Sequence, residues 1–463
     1  MTPWKLVYDG FDPAREGLRE TLCALGNGYV VTRGAGAETG ADDIHYPGTY
    51  LAGGYNRLDT EIAGRTIENE DLVNLPNWLV LEFRIDDGKW FRPIGVDLLA
   101  YRQELDLRHG VLARRLRFRD EQGRVTQVSS RRLVSMHDPH LAATETTIEA
   151  ENWSGRLELR SALDGTVVNA GVKRYASLNS KHLEPVESAG IGDDTIYLKV
   201  RTCQARQEIA LAARTMVFRH GRSVELERRT AAEPGIVAQT FGVDLHEGDS
   251  VTVEKVAALY SGRDRAISEC GLEARDAVAR APGFAVLLER HTEAWEQLWR
   301  HFDIDIELSD GNGDTRMILH LHIFHLLQTT SMHTTDGDVG VPARGWHGEA
   351  YRGHIFWDEL FIFPLLNFHV PEITRALLMY RYRRLPQARI AATAAGYCGA
   401  LFPWQSGSNG REESQVVHLN PRSGRWIPDE TYLQRHVNAA IAYNIWQHSE
   451  VTRDSEFLQF AGA

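Results

Sequence analysis

The sequence predicts a multidomain β-plus-α protein, in which an antiparallel β-sandwich is followed by a helical linker and then by layered helices. Three observations support this: short alternating strands up to about residue 265, helical spacing from residue 272 to about residue 302 followed by a short strand-like run at 303–308, and almost uniformly apolar helices beyond residue 314. The 463 residues allow two or three domains. We therefore predict domains over residues 1–265, 266–313 and 314–463.

The first domain is predicted from the alternation of apolar and polar side chains. WLVLEFRID (78–86), TIYLKVRT (195–202) and SVTVEKVAALY (250–260) each place apolar residues at every second position. This period is typical of strands with one buried face. Turn signals such as Asp87-Gly88 separate the runs. Many short strands at this spacing favour an antiparallel sandwich.

The later segments are predicted to be helical. LEARDAVARA and HTEAWEQLWRHF have helical spacing of their apolar residues, which predicts the linker helices. RMILHLHIFHLLQTT and VNAAIAYNIW are apolar nearly all round, and such helices are expected to be buried on every side. An inner ring of helices within an outer ring would satisfy this. Pro371 is a plausible first helical residue before EITRALLMYRYR.

Composition excludes several functional classes. The net charge of −12, from 63 acidic and 51 basic residues, argues against a nucleic-acid partner. The four cysteines have no metal-ligand spacing and do not suggest a disulfide framework, so no metal is predicted. The N-terminus has no apolar secretory core, and no apolar run reaches 18 residues. A cytoplasmic protein without a membrane partner is therefore predicted.

Two loop regions of the last domain are rich in aromatic and polar planar groups. GWHGEAYRGHIFWDELF (345–361) holds two tryptophans, two histidines, one arginine and three carboxylates. FPWQSGSNGREES (402–414) is the second. Aromatic faces beside carboxylates and amides suit a pyranose, whose C–H faces stack while its hydroxyls form hydrogen bonds. The alternative is that the tryptophans belong to the core and the charges to a solvated surface.

Motifs spread along the chain resemble glycoside hydrolase family 65, the inverting disaccharide phosphorylases and their hydrolase relatives. They are LGNGYVVTRG, GTYLAGGYNRL, HGEAYRGHIFWDELFIFPLL, LLMYRYRRLPQAR, GYCGALFPWQSG and LQRHVNAAIAYNIWQ. The resemblance implies an N-terminal β-sandwich, a helical linker and the first part of an (α/α)6 barrel.

The resemblance also implies roles for the tryptophan motifs. Trp357 and Asp358 look like the pair that holds the non-reducing glucose in the −1 subsite. A capping role for Asp358 at the following helix is the alternative, and both can hold together. Trp404 and Gln405 look like the pair that lines the sugar site at the mouth of the barrel. Relatives often carry Glu at the position of Gln405, a departure expected to alter which hydroxyls are recognised.

Two alternative roles are considered for each of four further residues near these motifs. Arg352 and His354 are expected to line the same mouth, with a structural role as the alternative. Glu412 and Glu413 follow a glycine-rich loop, so we interpret them as solvated rather than as a replacement general acid. The histidines of HLHIFH are interpreted as core or interhelical residues, because His320 does not share a face with the other two.

The implied reaction is inverting phosphorolysis of an α-glucosyl disaccharide to β-glucose 1-phosphate and a released sugar. Inorganic phosphate is the co-substrate, and no cofactor is implied. The general acid, a Glu in a GPDEYH-like motif, is expected beyond Ala463, so no catalytic residue is assigned. The chain is therefore expected to be a fragment that is poorly soluble alone. The family resemblance suggests a homodimer when the protein is full length. A trehalase-like hydrolase and a catalytically silent carbohydrate-binding fragment are the alternatives.

Overall fold

The computed structural model describes residues 3–304, 306, 313–420 and 422–462. The chain forms two compact units, each made of three segments. Unit 1 comprises residues 1–49, 75–167 and 183–328, and unit 2 comprises residues 50–74, 168–182 and 329–463. Two short segments from the range predicted for the sandwich therefore belong to unit 2. Residues 305 and 307–312, at the end of the predicted linker, lie outside the described residues.

In chain order, the strands are β1 (Lys5–Asp9), β2 (Leu25–Gly26), β3 (Val30–Thr32), β4 (Thr49–Leu51), β5 (Tyr55–Ile62), β6 (Arg65–Leu72), β7 (Leu81–Ile85), β8 (Asp97–Asp106), β9 (Val111–Arg119), β10 (Val125–Val134), β11 (Leu141–Ala150), β12 (Gly155–Asp164), β13 (Leu183–Ile191), β14 (Thr195–Thr202), β15 (Glu208–Arg219), β16 (Arg222–Ser223), β17 (Arg228–Glu233), β18 (Ile236–Leu245), β19 (Ser250–Ser261), β20 (Val417–Leu419) and β21 (Trp426–Pro428). The helices are α1 (Glu16–Leu22), α2 (Cys270–Arg280), α3 (Phe284–Phe302), α4 (Gly313–Thr329), α5 (Glu359–His369), α6 (Pro371–Arg383), α7 (Leu385–Ala394), α8 (His436–Thr452) and α9 (Ser455–Phe457).

Unit 1 is a sandwich of two antiparallel sheets. The larger sheet has the order β1-β8-β9-β10-β11-β19-β15-β14-β13, with β16 beside β15, and the smaller has the order β17-β18-β12-β7. Phe83, Leu159 and Phe241 of the smaller sheet share one apolar core with Leu116 and Val253 of the larger sheet. The predicted fold class, with its N-terminal antiparallel sandwich, is confirmed.

The linker helices cover the large sheet. Ala274 and Val278 of α2 and Phe284 of α3 pack in one core with Ala210 and Val256 of the sheet. Glu269 is the N-cap residue of α2. Its carboxylate accepts hydrogen bonds from the backbone N–H groups of the first helical turn. Pro282 lies between the two helices, because its ring prevents α2 from continuing.

Lys255 of β19 is buried without a carboxylate partner among the described residues. Its Nζ donates hydrogen bonds to the carbonyl oxygens of Val80 at 2.9 Å and Ala162 at 2.8 Å. Burial lowers the pKa of Lys255 to about 7. The folded protein therefore binds fewer protons than the unfolded chain between pH 7 and the ordinary lysine pKa of about 10.4.

Because of this lowered pKa, the free energy of unfolding is expected to rise with pH between pH 7 and about pH 10.4. The rise is up to about 1.4 kcal/mol per pH unit. Lys255→Met is expected to remove this contribution, as urea unfolding at pH 7, 8 and 9 will measure. Lys89→Met, at an exposed lysine on the same unit, is the control. Equal slopes in the wild type and in Lys255→Met would show that the folded protein keeps Lys255 charged.

Unit 2 contains the β5–β6 hairpin, the 168–182 segment and the helices from α5 onward. Helix α6 begins at Pro371, as predicted. Helices α5 and α8 are joined by a hydrogen bond of 3.0 Å between Asn367 Oδ1 and His448 Nδ1. The expectation that α8 is buried all round is wrong for the described residues: Tyr443 is 45% and Trp446 55% exposed, because the described helices pack on one side of α8 only. None of the helices in the described ranges combines the length and apolar character needed to cross a bilayer.

Candidate functional site

The two tryptophan motifs lie side by side in unit 2. Ile355 and Ser406 exchange backbone hydrogen bonds of 2.9 and 3.0 Å, so the segment that leads into Trp357 runs beside the segment that follows Trp404. The Trp357 and Trp404 rings are 6.5 Å apart between centroids. The structure therefore brings together the two aromatic residues that the sequence analysis singled out.

A third ring completes this group. The His436 ring centroid is 4.8 Å from that of Trp357 and 4.9 Å from that of Trp404. His436 is the first residue of α8 and is exposed, whereas both tryptophans are half-buried. We call Trp357, Trp404 and His436 the aromatic cluster. Its partial exposure leaves ring surface available to a ligand.

Asp358 follows Trp357 directly. It occupies the N-cap position of α5, but its side chain accepts no capping hydrogen bond from the helix. Burial raises the pKa of Asp358, and the positive charge of Arg344 opposes that rise. A half-buried carboxylate that does not cap its helix is able to accept hydrogen bonds from a polar ligand.

Glu412 shapes the loop that carries Trp404. Its two carboxylate oxygens accept hydrogen bonds from the backbone N–H groups of Trp404 at 2.7 Å and Gln405 at 3.1 Å. The expectation that Glu412 and Glu413 are both solvated is wrong. Glu413 is only 6% exposed, because the loop folds back onto the β5–β6 hairpin.

Glu413 lies in a buried charge group with two residues of that hairpin. Arg57 contacts Glu413, and its Nη2 is 3.2 Å from Glu70 Oε1. Burial, followed by the like charge of Glu70, raises the pKa of Glu413 to about 7. Glu70 also accepts a hydrogen bond of 2.8 Å from the backbone of Ser408. A Cβ on Gly407 would lie 1.7 Å from Glu70 Oε2, so this close approach requires glycine.

Arg352 lies in a left-handed turn before the Trp357-Asp358 pair. Tyr351, Arg352 and Gly353 have φ angles of 52°, 58° and 66°. Such backbone costs about 1–3 kcal/mol for each non-glycine residue unless its surroundings compensate. The buried Arg352 Nη1 is 2.8 Å from Asp71 Oδ1, and its guanidinium lies 4.4 Å from the ring centroid of Tyr175. These contacts hold the turn, and they direct Arg352 toward Asp71.

His354 is fully buried beneath Gln405. Its Nδ1 lies 2.8 Å from Gln405 Nε2, and its Nε2 lies 3.8 Å from Glu70 Oε2. Burial, together with the charges of Arg352 and Arg57, holds the pKa of His354 well below 6.5. The imidazole is therefore neutral near pH 7 and carries one N–H.

Only one tautomer of His354 suits both neighbours. With the proton on Nε2, the ring presents N–H to Glu70, and Nδ1 accepts from the Gln405 amide. This orients Gln405 with its nitrogen toward His354 and its Oε1 toward Ser414 Oγ, at 3.5 Å. The geometry thus directs the Gln405 nitrogen to His354 and leaves Gln405 Oε1 as the acceptor end of the amide.

Replacing Gln405 by Glu tests this orientation. A carboxylate cannot donate to Nδ1, so His354 must protonate that nitrogen to avoid two facing acceptors. We expect Gln405→Glu to raise the pKa of His354 above its wild-type value, as histidine ¹⁵N NMR over a pH titration will measure. Gln415→Glu, at a half-buried amide that donates to the Glu68 carbonyl, is the control. A pKa of His354 that is the same in Gln405→Glu as in the wild type would contradict the assignment.

A buried ion pair fixes the start of α5. Arg381 of α6 donates to Glu359 Oε2 from Nε at 3.1 Å and Nη2 at 2.9 Å, and to the Phe356 carbonyl oxygen at 2.7 Å. These bonds span both sides of Asp358 along the chain. Arg381 therefore positions the Trp357-Asp358 pair relative to α6.

Comparison with known proteins identifies the family. Residues 6–298 match the N-terminal domain of glycosyl hydrolase family 65, and residues 320–463 match the family's central catalytic domain. The chain belongs to glycosyl hydrolase family 65. This confirms the resemblance drawn from the sequence motifs.

Several relatives of this family 65 chain cover it almost fully. An uncharacterized glycosyl hydrolase of Mycobacterium tuberculosis is 49% identical over 100% of this chain and 34% of its own length. The trehalose 6-phosphate phosphorylase of Lactococcus lactis is 33% identical, and the kojibiose phosphorylase of Caldanaerobacter subterraneus is 31% identical, each over 99% of this chain and 58% of its own length. The chain thus spans between one third and three fifths of these relatives.

A solved structure shows the same fold. A putative kojibiose phosphorylase from the human microbiome superposes with a TM-score of 0.83 at 21% identity, over 99% of this chain and 57% of that chain. At this identity the likeness supports the β-plus-α family 65 fold and nothing finer.

Two other side-chain clusters among the described residues of the family 65 chain have partners within the protein. His320 is buried, stacks on Trp4 at 3.7 Å and is 3.1 Å from Asp303 Oδ1, which agrees with its interpretation as a core residue. In the described ranges, Glu208, Glu269 and Cys270 form a group dense enough to suggest metal ligands. The ammonium of Lys199 already bonds both carboxylates, at 2.6 and 2.7 Å.

The sequence analysis missed three contributors to the site. His436 stands in a quoted family motif, but a single histidine at a helix start gives no signal of its own. Glu70 and Arg57 lie in a hairpin whose alternation is that of any strand. Only their contacts with the 402–414 loop show that these two residues lie beside the candidate site.

Proposed function

We propose that this family 65 chain carries the sugar-binding part of an active site that cleaves an α-glucosyl disaccharide with phosphate. The products are β-glucose 1-phosphate and a released sugar. The observation that carries the proposal is the partly exposed aromatic cluster, with Asp358 and Gln405 beside it as acceptors.

The chemistry of this group suits a hexose. Indole and imidazole faces stack on the C–H face of a pyranose, while Asp358 and Gln405 accept hydrogen bonds from its hydroxyls. A charged acceptor forms the stronger of these bonds, which favours Asp358 as the main recognition group.

Phosphorolysis is favoured over hydrolysis by the relatives. The similar proteins include phosphorylases of trehalose 6-phosphate, kojibiose and trehalose, while the relative with 49% identity is named only as an uncharacterized glycosyl hydrolase. An inverting enzyme places an acid on one side of the bond and its nucleophile on the other. When phosphate is that nucleophile, a single protein carboxyl group suffices. Glu359 and Glu413 are paired with arginines, so we assign neither as the acid.

The reaction is tested with a panel of α-linked disaccharides and trehalose 6-phosphate, each with and without inorganic phosphate. We expect a sugar phosphate with the β anomeric proton to form only when phosphate is present, as ¹H NMR will detect. Release of free glucose at the same rate without phosphate would instead establish the trehalase-like hydrolase. Saturable sugar binding with no turnover would support the sugar-binding site and contradict phosphorolysis by this chain alone.

A further inference from the structure

A row of polar side chains crosses the large sheet of unit 1, remote in sequence from the tryptophan motifs. Gln103 of β8 pairs in register with Arg114 of β9, Arg114 with Ser130 of β10, and Ser130 with Thr146 of β11. Arg132 lies two residues beyond Ser130, so its side chain shares their face of the sheet. Residues 34–37 also line the pocket above this row.

One arginine of this pocket, Arg132, has no carboxylate partner among the described residues, whereas Arg114 and Arg131 are paired with Glu38 and Glu145. Arg114 contacts both oxygens of Glu38, at 2.5 and 2.7 Å, and so satisfies that group. Arg132 is 8% exposed. It donates to the carbonyl oxygens of Arg33 at 3.3 Å and Ala35 at 2.7 Å, and no carboxylate among the described residues pairs with it. Arg132 is therefore a buried guanidinium group without a carboxylate of the described ranges hydrogen-bonded to it.

Two buried polar atoms of the lining residues have no hydrogen-bond partner. They are Arg132 Nε and Thr144 Oγ1. The first is a donor and the second is able to donate. Unsatisfied buried donors are rare in native proteins, and each costs about 1–3 kcal/mol. The pocket has a volume of about 20 Å³ for the centre of a water-sized sphere, which admits one small ion or one water molecule.

We propose that this pocket binds one small monovalent inorganic anion of halide size. Such an ion accepts hydrogen bonds from the unsatisfied donors and supplies the negative counter-charge that Arg132 lacks. A water molecule would satisfy the donors but would leave the charge uncompensated. Burial, with the nearby positive charge of Arg114, lowers the pKa of Arg132 to about 10, as expected for an arginine without its own counter-ion.

The test compares thermal unfolding of the full chain in sodium chloride, sodium bromide and sodium gluconate at matched ionic strength. We expect chloride and bromide to raise Tm by about 2–3 °C over gluconate at ten times the dissociation constant. Arg132→Met should abolish this halide-specific rise. Arg117→Met should retain it, because Arg117 does not line the pocket and pairs with Glu151.

Broadening of the ³⁵Cl NMR signal by the wild-type chain is a second readout, and it does not depend on whether any variant folds. Bromide should reverse the broadening by displacing chloride. Equal Tm values in chloride and gluconate, or a halide response that survives in Arg132→Met, would overturn the proposal and leave a water molecule as the occupant. Neither measurement depends on the proposed reaction.

Discussion

Asp358→Ala is expected to weaken glucose binding by this chain by about 100-fold. The carboxylate is half-buried and does not cap α5, so its removal takes away charged acceptors while leaving the helix start intact. A hydrogen bond to a charged group contributes about 1.5–3 kcal/mol, and a tenfold change in affinity corresponds to about 1.4 kcal/mol. Two hydroxyl contacts therefore account for the expected loss, which isothermal titration calorimetry will measure.

Glu372→Ala is the control for Asp358→Ala. Glu372 is an exposed carboxylate in the first turn of α6, so its removal changes the same charge in the same unit. Glucose affinity should be unchanged in this variant. An Asp358→Ala protein that binds glucose like the wild type would remove Asp358 from the site and leave it a helix-terminal residue only.

Arg381→Met is expected to lower the free energy of unfolding of unit 2 by about 3–5 kcal/mol, because it leaves the buried carboxylate of Glu359 without its partner. Sugar affinity should fall with it, since Arg381 also holds the Phe356 carbonyl before the Trp357-Asp358 pair. Urea unfolding followed by tryptophan fluorescence measures the first effect, and calorimetric titration the second.

Two further variants separate the causes. Arg375→Met removes a neighbouring arginine of α6 whose ion pair with Asp454 is exposed, and it should cost less than about 1 kcal/mol. Adding Glu359→Leu to Arg381→Met removes the unpaired charge and should restore most of the stability. If the single and double variants were equally unstable, packing rather than the unpaired carboxylate would explain the loss.

The fold class could be predicted because the period of the apolar residues in a segment indicates which of its faces is buried. The alternation in β7 and β19 marked the faces that meet in the sandwich core, and Pro282 separates two segments with helical spacing. The assignment of three separate chain segments to each unit could not be predicted in this way. Segment 50–74 is a hairpin by its own pattern, and it belongs with the helices because of distant contacts such as Tyr50 Oη to Glu349 Oε1 at 3.0 Å.

The candidate site shows the same division. Trp357, Asp358, Trp404 and Gln405 were singled out from a family resemblance, and the Ile355–Ser406 backbone pair brings their loops together. Whether these four bind a sugar stays a prediction. The buried groups beneath them escaped the sequence analysis, because nothing local shows that Glu413 meets a distant hairpin. Isolated acidic residues in a polar loop suggest solvent exposure until their partners are known.

The most direct test of the account is saturation-transfer difference NMR of glucose with this chain, comparing the wild type with Trp357→Ala. We expect saturation from the aromatic protons to reach one C–H face of the pyranose and to be lost in Trp357→Ala. Trp446→Ala, which removes an exposed tryptophan outside the aromatic cluster, should leave it unchanged. Transfer that persists in Trp357→Ala, or that disappears in Trp446→Ala, would contradict the placement of the sugar site.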